Sequence, residues 1–128
     1  MSDYLLDTCA LLWLSDGGGE LSQKAISEIN ASRFVYISAI SAWEISLLCF
    51  KEQIKLPVSP EEWFRQITEN QDIQVINLTP EIAFLSNNLP SKHKDFADRF
   101  IIATAVSHNL SIVTGDKMFA QYPVTIIQ

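Results

Sequence analysis

The chain has 128 residues, 48% hydrophobic and 19% charged, with only four glycines and five prolines. That length suits one domain with its own core, and the composition excludes a disordered, collagen-like or low-complexity protein. A net charge of −6 argues against a protein that coats nucleic acid over its whole surface.

Apolar runs such as Ala10–Leu14 fall far short of the ~18 to 20 residues needed to span a membrane. No basic stretch followed by an apolar one opens the chain as a secretion signal would. The two cysteines, Cys9 and Cys49, each sit in an apolar pattern and read as reduced, buried thiols. The expectation is a cytoplasmic protein that does not engage the membrane. Charge is distributed unevenly: residues 1–64 carry nine acidic groups against four basic, residues 65–128 six against five. Lys92, Lys94 and Arg99 cluster beside His93. Local basic groups or a bound cation can reverse the field at one site of an acidic protein.

In chain order, Tyr4–Leu6 reads as a buried strand ending at Asp7, and Thr8–Leu14 as a short helix broken by Gly17, Gly18 and Gly19. Ser22 caps a helix over Gln23–Ala31, and Phe34–Ile37 is a second strand. Ser38 or Ser41 caps the next helix, to about Glu52, with Ser41 and Glu44 at capping-box spacing. Ser59 and Pro60 open a helix over Glu61–Asn70; Ile73–Leu78 is a third strand; Thr79 and Pro80 open a helix to about Asn88. After a loop over Leu89–Lys94, Asp95 or its neighbour opens a helix to about His108. Ser111–Thr114 and Val124–Ile127 are the last strands. Short strands alternating with helices predict an α/β class: one domain over residues 1–128, an α/β/α sandwich around a mainly parallel sheet of about five strands.

In open parallel sheets, ligands bind outside the carboxyl ends of the strands. Strand one ends at Asp7 and strand four at Thr114, followed by Gly115 and Asp116. Glu44 lies early in the helix after strand two, and Asp98 in the first turn of the helix that leads into strand four. Each acid has an ordinary reading. Asp7 can cap a helix, Glu44 can be solvated, Asp98 can favour the helix dipole or pair with Arg99, and Asp116 can serve a turn. Together they would repel one another in a cleft unless a cation joined them, and oxygen-only donors suit Mg²⁺ or Mn²⁺. Neither His93 nor His108 has zinc-site spacing or receives a catalytic role.

These pieces resemble the PIN domain, and most closely the VapC-type ribonuclease toxins of bacterial toxin–antitoxin pairs. The resemblance rests on Tyr4–Trp13, Ile37–Ile45, His93–Ala105 and Val113–Lys117, in the family's order and spacing over essentially the whole chain. It implies that Asp7, Glu44, Asp98 and Asp116 form an acidic, catalytic metal site for Mg²⁺ or Mn²⁺. Thr8 and Thr114, and more weakly Ser38, would steady carboxylates or a water on the metal. Asp95, one turn before Asp98, can face the site or cap its helix, and capping is the preferred reading. Arg99 can orient Asp98, touch phosphate or form a structural salt bridge, and Lys92, Lys94 and Lys117 can meet RNA phosphates.

The implied activity is hydrolysis of single-stranded or looped RNA to a 5′-phosphate and a 3′-hydroxyl. The implied partners are a cognate antitoxin and a second copy of the chain. Trp43, Leu47, Leu48 and Phe50 cover more than one helical face, as a peptide groove or dimer surface would require. A rival reading is a non-catalytic PIN-like module that binds RNA or protein. A phosphoacceptor receiver is disfavoured by Asn77–Thr79 where an acid should end strand three, and a dehalogenase-type phosphatase by the missing Asp-x-Asp pair.

Overall fold

A computed structural model describes residues 3–90 and 95–128. Five strands form one parallel sheet: β1 (Tyr4–Leu6), β2 (Val35–Ser38), β3 (Ile73–Ile76), β4 (Ser111–Val113) and β5 (Ile126–Ile127), in the order β3-β2-β1-β4-β5. Six helices connect and cover them: α1 (Thr8–Ser15), α2 (Gln23–Ala31), α3 (Ala39–Phe50), α4 (Pro60–Asn70), α5 (Pro80–Asn88) and α6 (Phe96–His108). A 3-10 turn over Lys117–Gln121 links β4 to β5. The α/β expectation holds. No helix among the described residues is long and apolar enough to cross a membrane.

The period-2 alternation of strands builds two cores. Tyr4 and Leu6 of β1, Val35 and Ile37 of β2 and Val113 of β4 face one cluster, closed by Ala10, Leu11, Ala25, Ile45, Trp63 and Ile67. Leu5 and Ile112 face the other, closed by Ile82, Ala97, Ile101, Ile102, Ala105, Phe119 and Tyr122. All three residues of β1 are buried, as a central strand covered on both faces should be.

Most helix starts follow the cap signals. Ser22, Ser59 and Thr79 each accept a hydrogen bond from the backbone N–H three residues on, and Pro60 and Pro80 begin their helices. The glycine break is real: Gly17, Gly18 and Gly19 all have positive φ. Several boundaries move. β3 stops at Ile76 and β5 shrinks to two residues, because both are edge strands with a partner on one side only. The cap of α3 is Ser38, whose hydroxyl accepts from Ile40 N–H, whereas Ser41 is buried inside the helix. The cysteines depart from the expectation of burial. Cys9 is exposed because it lies off the buried face of α1, and Cys49 is half-buried in the last turn of α3, one turn past the buried Ile45.

The 3-10 turn carries a fully buried phenyl ring, Phe119, into the core between α6 and the sheet. Phe119→Ala should destabilise the protein by about 3–5 kcal/mol. Phe50→Ala, at an 86% exposed position, should change the stability of the monomer by no more than about 0.5 kcal/mol. Urea denaturation midpoints of the two variants test the contrast.

Candidate active site

The order β3-β2-β1-β4-β5 reverses direction between β1 and β4, so a crevice opens at the carboxyl ends of these two strands. Asp7 follows β1 there and caps α1: its Oδ1 accepts from Ala10 N–H at 2.7 Å. Its other oxygen accepts from the Thr114 hydroxyl at 2.6 Å. The same hydroxyl accepts from Asp116 N–H at 2.9 Å, so one side chain ties the acid after β1 to the acid after β4. The Asp116 carboxylate in turn accepts from Met118 N–H and starts the 3-10 turn.

A second acidic group lies across the crevice. Asp95 caps α6 by accepting from the N–H groups of Ala97 and Asp98. Carboxylate oxygens of Glu44, Asp95 and Asp98 lie within 4.8 Å of one another, close enough to share one cation. Capping and facing the cluster are therefore both true of Asp95. Glu44 is fixed from α1, where the Thr8 hydroxyl donates to its Oε1 at 2.5 Å. With Thr8's only proton used there, Ser41 donates to Thr8 across 2.8 Å. The Ser41–Glu44 spacing thus serves the site and not a capping box.

The electrostatics follow from like charges at a partly dry cleft. Burial, then the neighbouring charges of Asp95, Glu44, Asp7 and Asp116, push the Asp98 carboxyl up to about 8. Burial is also the main cause that raises Asp7 and Glu44, against the lowering hydrogen bonds from Thr114 and Ala10 to Asp7 and from Thr8 to Glu44. The Cys9 thiol stands at the mouth of this cleft. Desolvation by the walls and the charges of Asp7, Glu44, Asp98 and Asp116 raise it to about 11, which keeps it protonated near neutral pH.

The model of the PIN domain matches residues 4–124. The chain belongs to the PIN domain family. It is 32% identical to Ribonuclease VapC22 of Mycobacterium tuberculosis (strain ATCC 25618 / H37Rv), over 98% of this chain and 99% of that protein. Among solved structures, a toxin–antitoxin complex from Klebsiella pneumoniae superposes with a TM-score of 0.69 at 26% identity, covering 98% of this chain and 96% of that one. VapBC2 from Rickettsia felis, bound to a DNA fragment from its promoter, superposes with a TM-score of 0.73 at 15% identity, over 98% and 97% of the two chains, and shows the shared fold. This PIN domain is thus a VapC homologue with the fold found in toxin–antitoxin complexes.

The other expected site residues take varied positions in this PIN domain. Ser38 is fully buried and serves the start of α3. Arg99 directs its guanidinium to the carbonyls of Leu89 and Pro90, at 2.9 and 2.8 Å, bracing the end of α5. Lys117 is exposed beside Asp116. Lys92, Lys94 and His93 lie outside the described residues. Ser41 is the supporting residue that sequence reasoning did not place at the site. Its signal was a serine one helical turn before Glu44, where it shares a face with that acid.

Two predictions follow the geometry. Between about pH 3.8 and 8, folded protein holds an Asp98 proton that the unfolded chain has released, so this group makes stability fall as pH rises. Metal-free protein should therefore melt at progressively lower temperature from pH 4 to pH 8, and Asp98→Asn should flatten that slope. Mn²⁺ should raise the wild-type midpoint most at the alkaline end of the window.

Thr114→Val removes the donor to Asp7 and the acceptor for Asp116 N–H at a buried position, and should cost about 1–3 kcal/mol. It should also weaken Mn²⁺ binding by about ten- to a hundredfold in calorimetric titration. Thr114→Ser, which keeps the hydroxyl, should stay near wild type in both measurements.

Proposed function

We propose that the chain is a metal-dependent endoribonuclease, the toxin of a VapBC-type toxin–antitoxin pair, acting in the cytoplasm and held inactive by a cognate antitoxin. One observation carries the reading: five carboxylates from four parts of the chain gather at the sheet's switch point, three of them with oxygens within 4.8 Å of one another, and burial together with the neighbouring charges pushes Asp98 up to about 8. Such a cluster is unstable as a set of charges and becomes favourable once a divalent cation joins it.

Asp7, Glu44, Asp98 and Asp116 are the proposed metal-holding and catalytic residues, with Asp95 beside them. The donor set fits Mg²⁺ or Mn²⁺, because the acids offer oxygen ligands and the nearby Cys9 thiol is held protonated. A divalent cation bound there supplies Lewis-acid polarisation of a phosphoryl oxygen and activation of water for its hydrolysis. The chain's own residues do the positioning. Thr114 and the α1 amino end fix the orientation of Asp7; Thr8, backed by Ser41, fixes Glu44; the Asp95 cap fixes the first turn of α6 that carries Asp98. Lys117, and Lys92 and Lys94 from the stretch before α6, supply cations for the RNA backbone. The guanidinium of Arg99 is already engaged with two carbonyls, which favours bracing over a phosphate contact.

A cleft of about 410 Å³ beside the acids supports the antitoxin partner. Trp43, Leu47, Leu48 and Phe96 line it next to Glu44 and Asp95, and Trp43 remains 43% exposed although its ring lies 5.1 Å from that of Phe96. An apolar peptide segment would cover this surface. Phe50 and Phe84, 86% and 70% exposed, offer apolar contacts for a second copy of the chain.

Purified, antitoxin-free protein should cut a mixed cellular RNA pool with Mn²⁺ or Mg²⁺ and stop on addition of chelator. Asp7→Asn and Asp98→Asn should each lower the rate at least about a hundredfold, the scale of losing one preorganised charge-stabilising group. Cutting that survives both variants would remove the site assignment. A folded, metal-binding protein that cuts no RNA would favour the non-catalytic module.

A further inference from the structure

A second cleft, of about 510 Å³, opens on the side of the crevice away from Trp43, among Trp13, Glu20, Leu21, Ser22, Thr114, Gly115, Lys117 and Gln128. We propose that this cleft is a nucleobase subsite: the Trp13 indole is a stacking platform for one base of the RNA, next to the phosphate engaged at the acidic site. The proposal rests on the ribonuclease reading and names the part of the substrate that this side of the site recognises.

Location is the first argument. Thr114 lines the cleft and also donates to Asp7, so cleft and acids share a wall one residue thick. A nucleotide whose phosphate meets the acids has its base within reach of this cleft.

The second argument is how the indole is held. A Cβ at Gly115 would come within 2.6 Å of Trp13 Cη2, and one at Gly19 within 3.1 Å of Trp13 Cβ. The absence of side chains at both positions lets the Trp13 ring lie against backbone at each end. The ring is thereby fixed in one orientation, which a stacking surface needs and a mobile side chain does not provide.

Composition is the third argument. Trp13 is only half-buried at the edge of the core, and its indole N–H has no hydrogen-bond partner among the described residues. Around it, Glu20 and the side chain of Gln128 offer polar groups suited to the donor and acceptor edge of a base, the Ser22 hydroxyl being engaged with Ala25 N–H and the Gln128 carbonyl, and Lys117 offers a cation for the adjoining phosphate. An aromatic wall with a polar rim matches a base, with its π face and polar edge, better than an aliphatic peptide. The volume is in the range of small-molecule pockets, about 300–1,000 Å³.

The test combines fluorine NMR with kinetics. In 5-fluorotryptophan-labelled protein, the Trp13 signal is assigned by its loss in Trp13→Phe, and each of the three tryptophans serves as a reporter. Short oligoribonucleotides, at concentrations where fluorescence anisotropy shows them bound to the Asp98→Asn protein, should shift the Trp13 signal and leave Trp43 and Trp63 in place. The same oligonucleotides made abasic should not. In cleavage assays of otherwise wild-type protein, Trp13→Leu should raise KM about ten- to a hundredfold, the scale of losing one base stack, with little change in kcat or Mn²⁺ affinity. Trp13→Phe and Trp13→Tyr, which keep a ring, should stay within about fivefold and serve if the leucine variant folds poorly.

RNA cutting with an unmoved Trp13 signal, or with an unchanged KM in Trp13→Leu, overturns the subsite and leaves the nuclease standing. An abasic chain that shifts Trp13 as strongly as the base-bearing one also overturns it. A shift by antitoxin peptide and not by RNA assigns the cleft to the protein partner instead. Wild-type protein that neither binds nor cuts RNA overturns both readings.

Discussion

The repulsion among carboxylates at one end of the sheet is the constraint on which the rest of the site depends. Asp7, Glu44, Asp95, Asp98 and Asp116 would separate if their side chains were free to do so, and the backbone prevents it. Each acid is anchored where the chain has little freedom: after a central strand, on a helix fastened to its neighbour, or at a helix start. Caps and short hydrogen bonds provide the anchoring. Asp7 and Asp95 accept from backbone N–H groups at helix starts, where the partial positive charge offsets part of their own. Glu44 accepts from Thr8, and Asp7 also from Thr114. Burial and the charges of Asp95, Glu44, Asp7 and Asp116 push the Asp98 carboxyl up to about 8. The site therefore holds one acid whose charge is disfavoured first by burial and then by its neighbours.

Hydroxyl side chains do much of this work because they both donate and accept. Thr114 gives its proton to Asp7 and takes one from the Asp116 amide, so it fixes two acids from different segments with a single oxygen. Thr8 does the same between Glu44 and Ser41. All three hydroxyl residues are buried, which makes their hydrogen bonds costly to lose and their geometry well defined. A valine at Thr8 or Thr114, or an alanine at Ser41, would keep most of the packing and loosen the acids.

The fold was legible because its signals are local and repeated. Ser22, Ser59 and Thr79 with Pro60 and Pro80 announce helix starts, and alternating helices and short apolar strands announce a parallel sheet. The four separated acids were legible for a further reason: chain order in such a sheet determines which strand ends share an edge. Less was legible where a residue answers to partners distant in sequence. Ser41 looks like a cap until α1 is docked against α3 and Thr8 arrives beside it. Cys9 looks like a core residue because it sits in an apolar pattern, yet the helix leaves it exposed at the crevice mouth. The 3-10 turn over Lys117–Gln121 has too few residues to carry a periodic pattern, and the edge strands β3 and β5 end where pairing ends and not where β-forming residues do.

The two sides of the crevice differ in a way that follows from the same topology. On the α3–α6 side, successive helical turns expose Trp43, Leu47, Leu48 and Phe96 as a continuous apolar wall beside Glu44 and Asp95. On the β4 side, the wall is strand-end backbone and one indole, with charged and polar groups around it. A helix face can present several side chains in a row, whereas a strand-to-turn junction presents mostly peptide groups, which only a glycine lets an aromatic ring approach. Gly115 meets that requirement, between the hydroxyl that fixes Asp7 and the acid that completes the cluster. The residue types at 114, 115 and 116 are thus each determined by a different demand: a relay for charge, room for a ring, and a carboxylate.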